Sequence, residues 1–274
     1  MDRVSPWKLI EYIHSLECRE GGYCFYGLEE PNLADTFFAT LTLSLLSDLP
    51  PNPLKTVAFV QRFFDHADGL PGLWGTYHGL RILGLFKAEI RTPELFRSLL
   101  GNFEKILSGQ ESGLESLSCL TELIELVKCP VGESLKERGR DYVLRFQRKD
   151  FGFGIEISNL RETYLALRIL KDLGYPLDPL SVSEFIFLCE QEEFGFANVP
   201  LSTWAFLEDI YFGLLSSELA GYRPKYQEAI LKFVLDCQTK GFGFRRSHLL
   251  GIATLEYTYM AINALKVLED FQTS

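Results

Sequence analysis

Phe151-Gly152-Phe153, Phe194-Gly195-Phe196 and Phe242-Gly243-Phe244 are three copies of one phrase, with starts 43 and 48 residues apart. A phrase returning at such a period marks a repeat architecture, in which each unit buries its apolar face only by stacking on its neighbour. Each copy stands a few residues after a glutamine (Gln147, Gln191, Gln238) that closes an apolar stretch of helical period, and each precedes another such stretch. The unit is therefore helix, glycine-aromatic turn, helix. Looser copies occupy the N-terminal half: Gly21-Gly22-Tyr23 after Cys18, Asp68-Gly69-Leu70 with Gly72-Leu73-Trp74-Gly75 after Phe64, and Ser112-Gly113-Leu114 after Gln110.

Six turns imply six helical hairpins, with paired helices expected near 7–16 and 33–47, 53–64 and 76–86, 92–107 and 114–127, 133–146 and 160–173, 181–189 and 201–217, and 224–237 and 252–268. Spacing supports each: between 160 and 170, Leu160, Tyr164, Leu167 and Leu170 share one helical face, and Arg161 and Arg168 lie off it. Pro53, Pro93, Pro130, Pro176 and Pro224 fall near element boundaries, where a missing N–H does little harm.

The second helices of the later pairs are apolar or aromatic around most of their circumference, as in Thr203-Trp204-Ala205-Phe206-Leu207 and Tyr257-Thr258-Tyr259-Met260-Ala261. Such helices are buried ones. The first helices are amphipathic, as in the stretch with Lys136, Glu137, Arg138, Arg140 and Asp141. Inner and outer rings of six helices each form a closed all-α double barrel, an α6/α6 toroid; an open solenoid would need polar end repeats, which are not evident. The expectation is one domain over residues 1–274.

Composition narrows the function classes. With 47% hydrophobic residues the chain can bury a large core, and its net charge of −10 disfavours nucleic acid, which demands a basic face. No apolar run nears the roughly 20 residues needed to span a bilayer. The start, Met1-Asp2-Arg3-Val4-Ser5-Pro6, lacks a basic-then-apolar leader pattern, so a cytoplasmic protein is expected. Cys18, Cys24, Cys119, Cys129, Cys189 and Cys237 are scattered, as buried reduced thiols are and a disulfide framework is not.

The recurring phrase, followed by Thr163-Tyr164 or Thr258-Tyr259 at the opening of an inner helix, resembles the repeat of protein prenyltransferase β subunits and of squalene and terpene cyclases. The resemblance covers essentially the whole chain. It implies a toroid whose central, aromatic-lined cavity holds an isoprenoid or similar lipid, and it implies a helical protein partner of the kind a β subunit binds. For the prenyl chain the candidates are Trp74, Tyr77, Tyr164, Phe196, Trp204, Tyr257 and Tyr259, each of which simple core packing would also explain. For a diphosphate they are Arg245 and Arg246, with Lys149 and Arg161 beside an equivalent turn, since the guanidinium fork suits phosphate oxygens. Solvated loop charge is the plainer account of these four.

Two motifs of these families are not evident. The resemblance implies a zinc site of an aspartate, a cysteine two residues later and a histidine at a later inner-helix start. The turn that should carry the first two reads Phe196-Ala197-Asn198-Val199-Pro200-Leu201-Ser202-Thr203-Trp204, and Glu256 stands near the histidine position. Asp236-Cys237 has the wrong spacing, and His14, His66, His78 and His248 form no ligand pattern, so no metal ligand is assigned; zinc from distant residues or magnesium stays open.

The Asp-x-Asp-Asp acid of the cyclases is missing as well. The nearest acidic pair, Glu208-Asp209, is expected inside an apolar inner helix, where carboxylates are costly unless paired, and is with Glu256 the best catalytic candidate. Asp35, Glu162 and Glu256 sit at helix starts, where capping accounts for them equally well. Two other readings remain: a glycoside-processing enzyme using two of these five carboxylates, or a non-catalytic toroid that binds a protein through its outer helices.

Overall fold

The computed structural model describes residues 4–65, 70–88, 93–110 and 113–273. The expected turn residues Asp68, Gly69 and Ser112, and with them His66, lie outside the described residues. Twelve α-helices are present among the described residues: α1 (Pro6–His14), α2 (Leu33–Leu45), α3 (Pro53–Arg62), α4 (Leu73–Leu85), α5 (Pro93–Leu107), α6 (Leu114–Leu126), α7 (Glu133–Leu144), α8 (Leu160–Asp172), α9 (Val182–Cys189), α10 (Leu207–Ala220), α11 (Gln227–Asp236) and α12 (Leu255–Thr273). Every expected helix is there. One short antiparallel pair, β1 (Glu190–Gln191) with β2 (Gly195–Phe196), spans the fifth turn.

The fifth hairpin corrects the sequence reading. Its second helix was expected from residue 201 and begins six residues later, at Leu207. Pro200 is followed by Leu201 in the left-handed region (φ 63°), and the Ser202 hydroxyl accepts the Trp204 N–H at 3.3 Å, a local turn that competes with helix. Trp204 is thus a loop residue, and Glu208 and Asp209 belong to a first helical turn, not to a helix interior.

The chain forms two compact units: residues 1–89, 206–211 and 227–274 make the first, and 90–205 with 212–226 the second. Within the first, α2 packs between α12 and α4, while α1, α3 and α11 cover α2, α4 and α12 respectively. Within the second, α6 packs on α8, with α5 against α6 and α7 against α8. In these pairs within each unit even-numbered helices meet one another and odd-numbered helices cover them, which matches the apolar and amphipathic patterns of the two classes.

Three of the turns are locked to the inner helix that follows them. Tyr23, Phe153 and Phe244, fully buried, donate their backbone N–H to the hydroxyls of Thr36, Thr163 and Thr258 at 3.0, 3.0 and 3.1 Å. Their carbonyls accept the N–H of the residue that caps the helix: Asn32, Asn159 and Thr254. The threonine is the fourth helical residue in each case, so one repeated position satisfies a buried backbone donor that would otherwise be costly.

The glycine of the phrase is explained by close packing as well as by backbone conformation. In two copies the left-handed residue is the preceding phenylalanine, Phe151 (φ 66°) or Phe242 (φ 74°), and in the third the glycine itself has a positive φ, Gly195 (φ 100°). Gly22, which is itself left-handed (φ 77°), Gly152 and Gly243 give room to an aromatic side chain of the next repeat's outer helix: a Cβ there would lie 2.7 Å from Phe59, 2.6 Å from Phe185 and 2.6 Å from Tyr12, in that order. The last of these contacts joins the sixth repeat to the first in the manner in which the first meets the second. With α12 packed on α2, the first unit contains the junction that a closed array of repeats requires and an open stack lacks.

Candidate functional site

Counting from the first residue of each inner helix, the fifth is Phe37 in α2, Tyr77 in α4, Tyr164 in α8, Tyr211 in α10 and Tyr259 in α12. One position along the repeat therefore carries a ring in five helices of six, with Ser118 in α6. In the first unit these rings meet: Phe37 lies 5.6 Å from Tyr77 and 6.4 Å from Tyr259, and Tyr211 lies 6.2 Å from Tyr259, centroid to centroid. Trp74 and His78 extend the run, at 6.4 Å from Tyr77 and 4.8 Å from Phe37. Burial holds His78 neutral, its pKa lowered to about 4. The Arg81 guanidinium stands 5.6 Å above the Tyr77 ring, a cation over the quadrupole's negative face. In the second unit Tyr164 stacks on Phe212 at 5.6 Å.

Trp74 and Tyr77, expected as lining residues, are thus brought together, and Tyr259 joins them. Phe37 and Tyr211 were missed: counting five residues from the expected helix start at 33 reaches Phe37, but only the observed start at Leu207 leads to Tyr211. Phe196 is not a lining residue: it is fully buried and lies over Gly213 of α10, whose added Cβ would come within 2.4 Å of its ring. Trp204 is apart from the run in the loop before α10, with its side chain 70% exposed.

A second cluster surrounds the start of α10. Arg246 directs both Nε and Nη2 at Glu208 Oε1, at 2.6 and 2.5 Å, and its guanidinium lies 4.0 Å over the Phe206 ring. Its carbonyl accepts the N–H of Leu207 at 2.9 Å, so main chain and side chain are both tied to the helix start. Asp209 is buried, and its Oδ2 accepts the Phe206 N–H at 2.9 Å. Burial raises its pKa to about 6; the Glu208 carboxylate adds to the rise and the Phe206 N–H opposes it. Tyr257, half-buried in the first turn of α12, is raised by burial and by the Glu208 charge. Arg245 turns elsewhere, its Nη2 donating to the His248 carbonyl, and its Nε is buried without a partner.

Most candidate acids hold helix starts. Asp35 accepts from Phe25 N and Asn32 Nδ2, and Glu162 from Ile155 N and Asn159 Nδ2, each bracing the asparagine whose side chain caps its helix. Asp209 caps α10, and Glu208 is engaged by Arg246. Glu256 is exposed at the second position of α12. Arg161 pairs with Glu115 across α6 and α8, and Lys149 is exposed.

The zinc donors that the resemblance implies do not fit these residues. The stretch 196–204 offers no carboxylate or thiol, and Asn198 spends its carbonyl on Leu160 N and its side-chain oxygen on Arg161 N. Burial pushes the Cys237 thiol up to about 12, far from a metal-binding thiolate. Among the described residues no group of three or more His, Cys, Asp and Glu side chains is arranged to hold a metal ion. All six cysteines are free and buried.

Comparison with known proteins places this architecture. A family model described as the prenyltransferase alpha-alpha toroid domain matches residues 1–83, 112–204 and 202–274. The geranylgeranyl transferase type-1 subunit beta of Arabidopsis thaliana is 25% identical over 218 residues, 70% of this chain; the chain spans 56% of that relative's length. The structure of Candida albicans protein geranylgeranyltransferase-I complexed with GGPP superposes with a TM-score of 0.76 at 16% identity, over 96% of this chain and 91% of that one. The likeness establishes the fold class as all-α, the α6/α6 toroid. A family match over most of the chain, on twelve described helices, makes this protein a member of the prenyltransferase alpha-alpha toroid family.

Proposed function

We propose that the chain binds an isoprenoid diphosphate within a single toroid domain spanning residues 1–274, with the prenyl chain against the aromatic run and the diphosphate at the rim near Arg246. The observation that carries this reading is the chain of four rings from one repeated helical position, Tyr77, Phe37, Tyr259 and Tyr211. Rings of one kind on successive inner helices are an apolar, adaptable surface suited to a long unsaturated hydrocarbon. Trp74 extends it, Tyr164 with Phe212 supplies the same surface on α8 and α10, and Tyr257 lies toward the charged end. Trp204, in the loop before α10, and Arg245, in the loop after Phe244, are the remaining ligand candidates of this reading.

The GGPP bound in the Candida albicans structure supports this substrate class, and the name of the Arabidopsis relative, a subunit beta, supports a protein partner, for which we propose a helical one. No described helix is long and apolar enough to cross a membrane, in keeping with a cytoplasmic protein. The carboxylate-pair reading is the weaker one, because Asp35, Glu162, Glu208 and Asp209 already serve caps or an ion pair.

The test is calorimetric titration with farnesyl and geranylgeranyl diphosphate, with and without zinc and magnesium. Micromolar binding is expected, and Y77A and Y259A should each weaken it about tenfold or more, the loss of roughly 1.5–3 kcal/mol of buried ring. No heat with either ligand under any condition would reject the isoprenoid reading.

A further inference from the structure

The pairing of Glu208 with Arg246 is lopsided, and its geometry says what the carboxylate is for. Both donors of one guanidinium edge, Nε and Nη2, converge on a single oxygen, Oε1. The other oxygen, Oε2, is buried and without a partner. Among the described residues no other acceptor takes a side-chain hydrogen bond from Arg246, whose side chain is 47% exposed. Below the guanidinium lies the Phe206 ring at 4.0 Å, and the Arg246 carbonyl is held by Leu207 N. Carboxylate, ring and backbone bond together fix the plane and the rotation of the group, and the edge left open is the Nη1–Nη2 fork, the edge that receives two oxygens of a phosphate.

We infer that Glu208 is a positioning residue for anion binding: it holds Arg246 by one edge so that the other is presented, already ordered, to a phosphate or diphosphate. This rests on the reading of Arg246 as the diphosphate contact. An arginine free in solvent must be frozen on binding, and a pre-ordered one avoids that loss. The carboxylate also opposes an incoming anion by its charge. The two effects separate chemically, because glutamine keeps the Oε1 acceptor and removes the charge, whereas alanine removes both.

The experiment is titration of the full chain and its variants E208Q, E208A and R246A with inorganic pyrophosphate, farnesyl diphosphate and farnesol. E208Q should bind both phosphates at least as tightly as the unaltered chain. E208A should bind them about tenfold more weakly than E208Q, and R246A more weakly still. Farnesol affinity should stay the same throughout, which also shows that each variant is folded. Should E208A not fold, F206L provides the second arm: it removes the platform and leaves both charges, and a loss of about threefold confined to the phosphate ligands is expected. Equal phosphate affinity in E208Q and E208A, or in F206L and the unaltered chain, would overturn the positioning role while leaving Arg246 as the contact. R246A binding farnesyl diphosphate as the unaltered chain does would overturn the assignment of Arg246 itself.

Discussion

Gly213 stands where the ring of Phe196 lies, so an added methyl would meet that ring at 2.4 Å. Neither partner can retreat: Phe196 is fully buried in β2, and Gly213 is in the middle of α10. Gly213→Ala should therefore destabilise the protein by about 1–3 kcal/mol despite its better helix propensity, the usual cost of overpacking. A denaturant midpoint unchanged or raised by the substitution would show that the ring moves aside. Phe196 was read from the sequence as a candidate ligand contact, and the structure makes it a packing residue. The F-G-F phrase marks where the chain turns, but whether its second aromatic faces a ligand or a neighbouring glycine depends on what the next helix brings to it.

The element scale is governed by helix starts. Asp209 accepts the Phe206 N–H, yet it is buried beside Glu208, and its pKa is raised to about 6 against an ordinary 3.8. A carboxyl whose folded-state pKa is raised binds its proton more tightly folded than unfolded. Its ionisation thus costs stability, fully above about pH 6 and not at all below about pH 4. Asp209→Asn keeps an oxygen for the Phe206 N–H and discards the charge. It should stabilise the protein by about 1–2 kcal/mol at pH 7, within the roughly 3 kcal/mol that a two-unit shift represents. The advantage should shrink as pH falls from 6 to 4. Thermal denaturation of both chains across that range measures it, and a pH-independent difference would assign Asp209 a different environment. The sequence reading placed this pair mid-helix because residues 203–207 are apolar. Pro200, the left-handed Leu201 and the Ser202 hydroxyl override that pattern and delay the helix. Periodicity reports what a segment buries and is silent on where its backbone first bends.

At the scale of the molecule, the sixth repeat meets the first as the first meets the second: Tyr12 fills the space over Gly243 as Phe59 does over Gly22. The helix α12 packs on α2, so the C-terminal hairpin is part of the same compact unit as the N-terminal ones. Removing residues 227–274 should therefore strip the partner from α2 and the seat from Tyr12. The fragment 1–226 is expected to lose its cooperative thermal transition and to bind a hydrophobic dye. A sharp transition within about 5 °C of the full chain would mean that the repeats are stable as an open stack.

The sequence by itself determined the all-helical class, the six hairpins and nearly all their helices, because these depend on local periodicity and on a turn phrase that recurs. It also placed Trp74, Tyr77, Tyr164 and Tyr259 among the candidate rings, since bulky aromatics near the start of buried helices are legible in one dimension. Tertiary structure alone decided that Phe37 and Tyr211 join that run, that Arg246 is held by Glu208, and that Phe196 is packing. Each of these is a contact between residues that local sequence does not bring together, from Phe196 and Gly213 to Phe37 and Tyr259. Such contacts form only when separate repeats bury their faces against one another, and the burial, not the local pattern, selects which side chains meet.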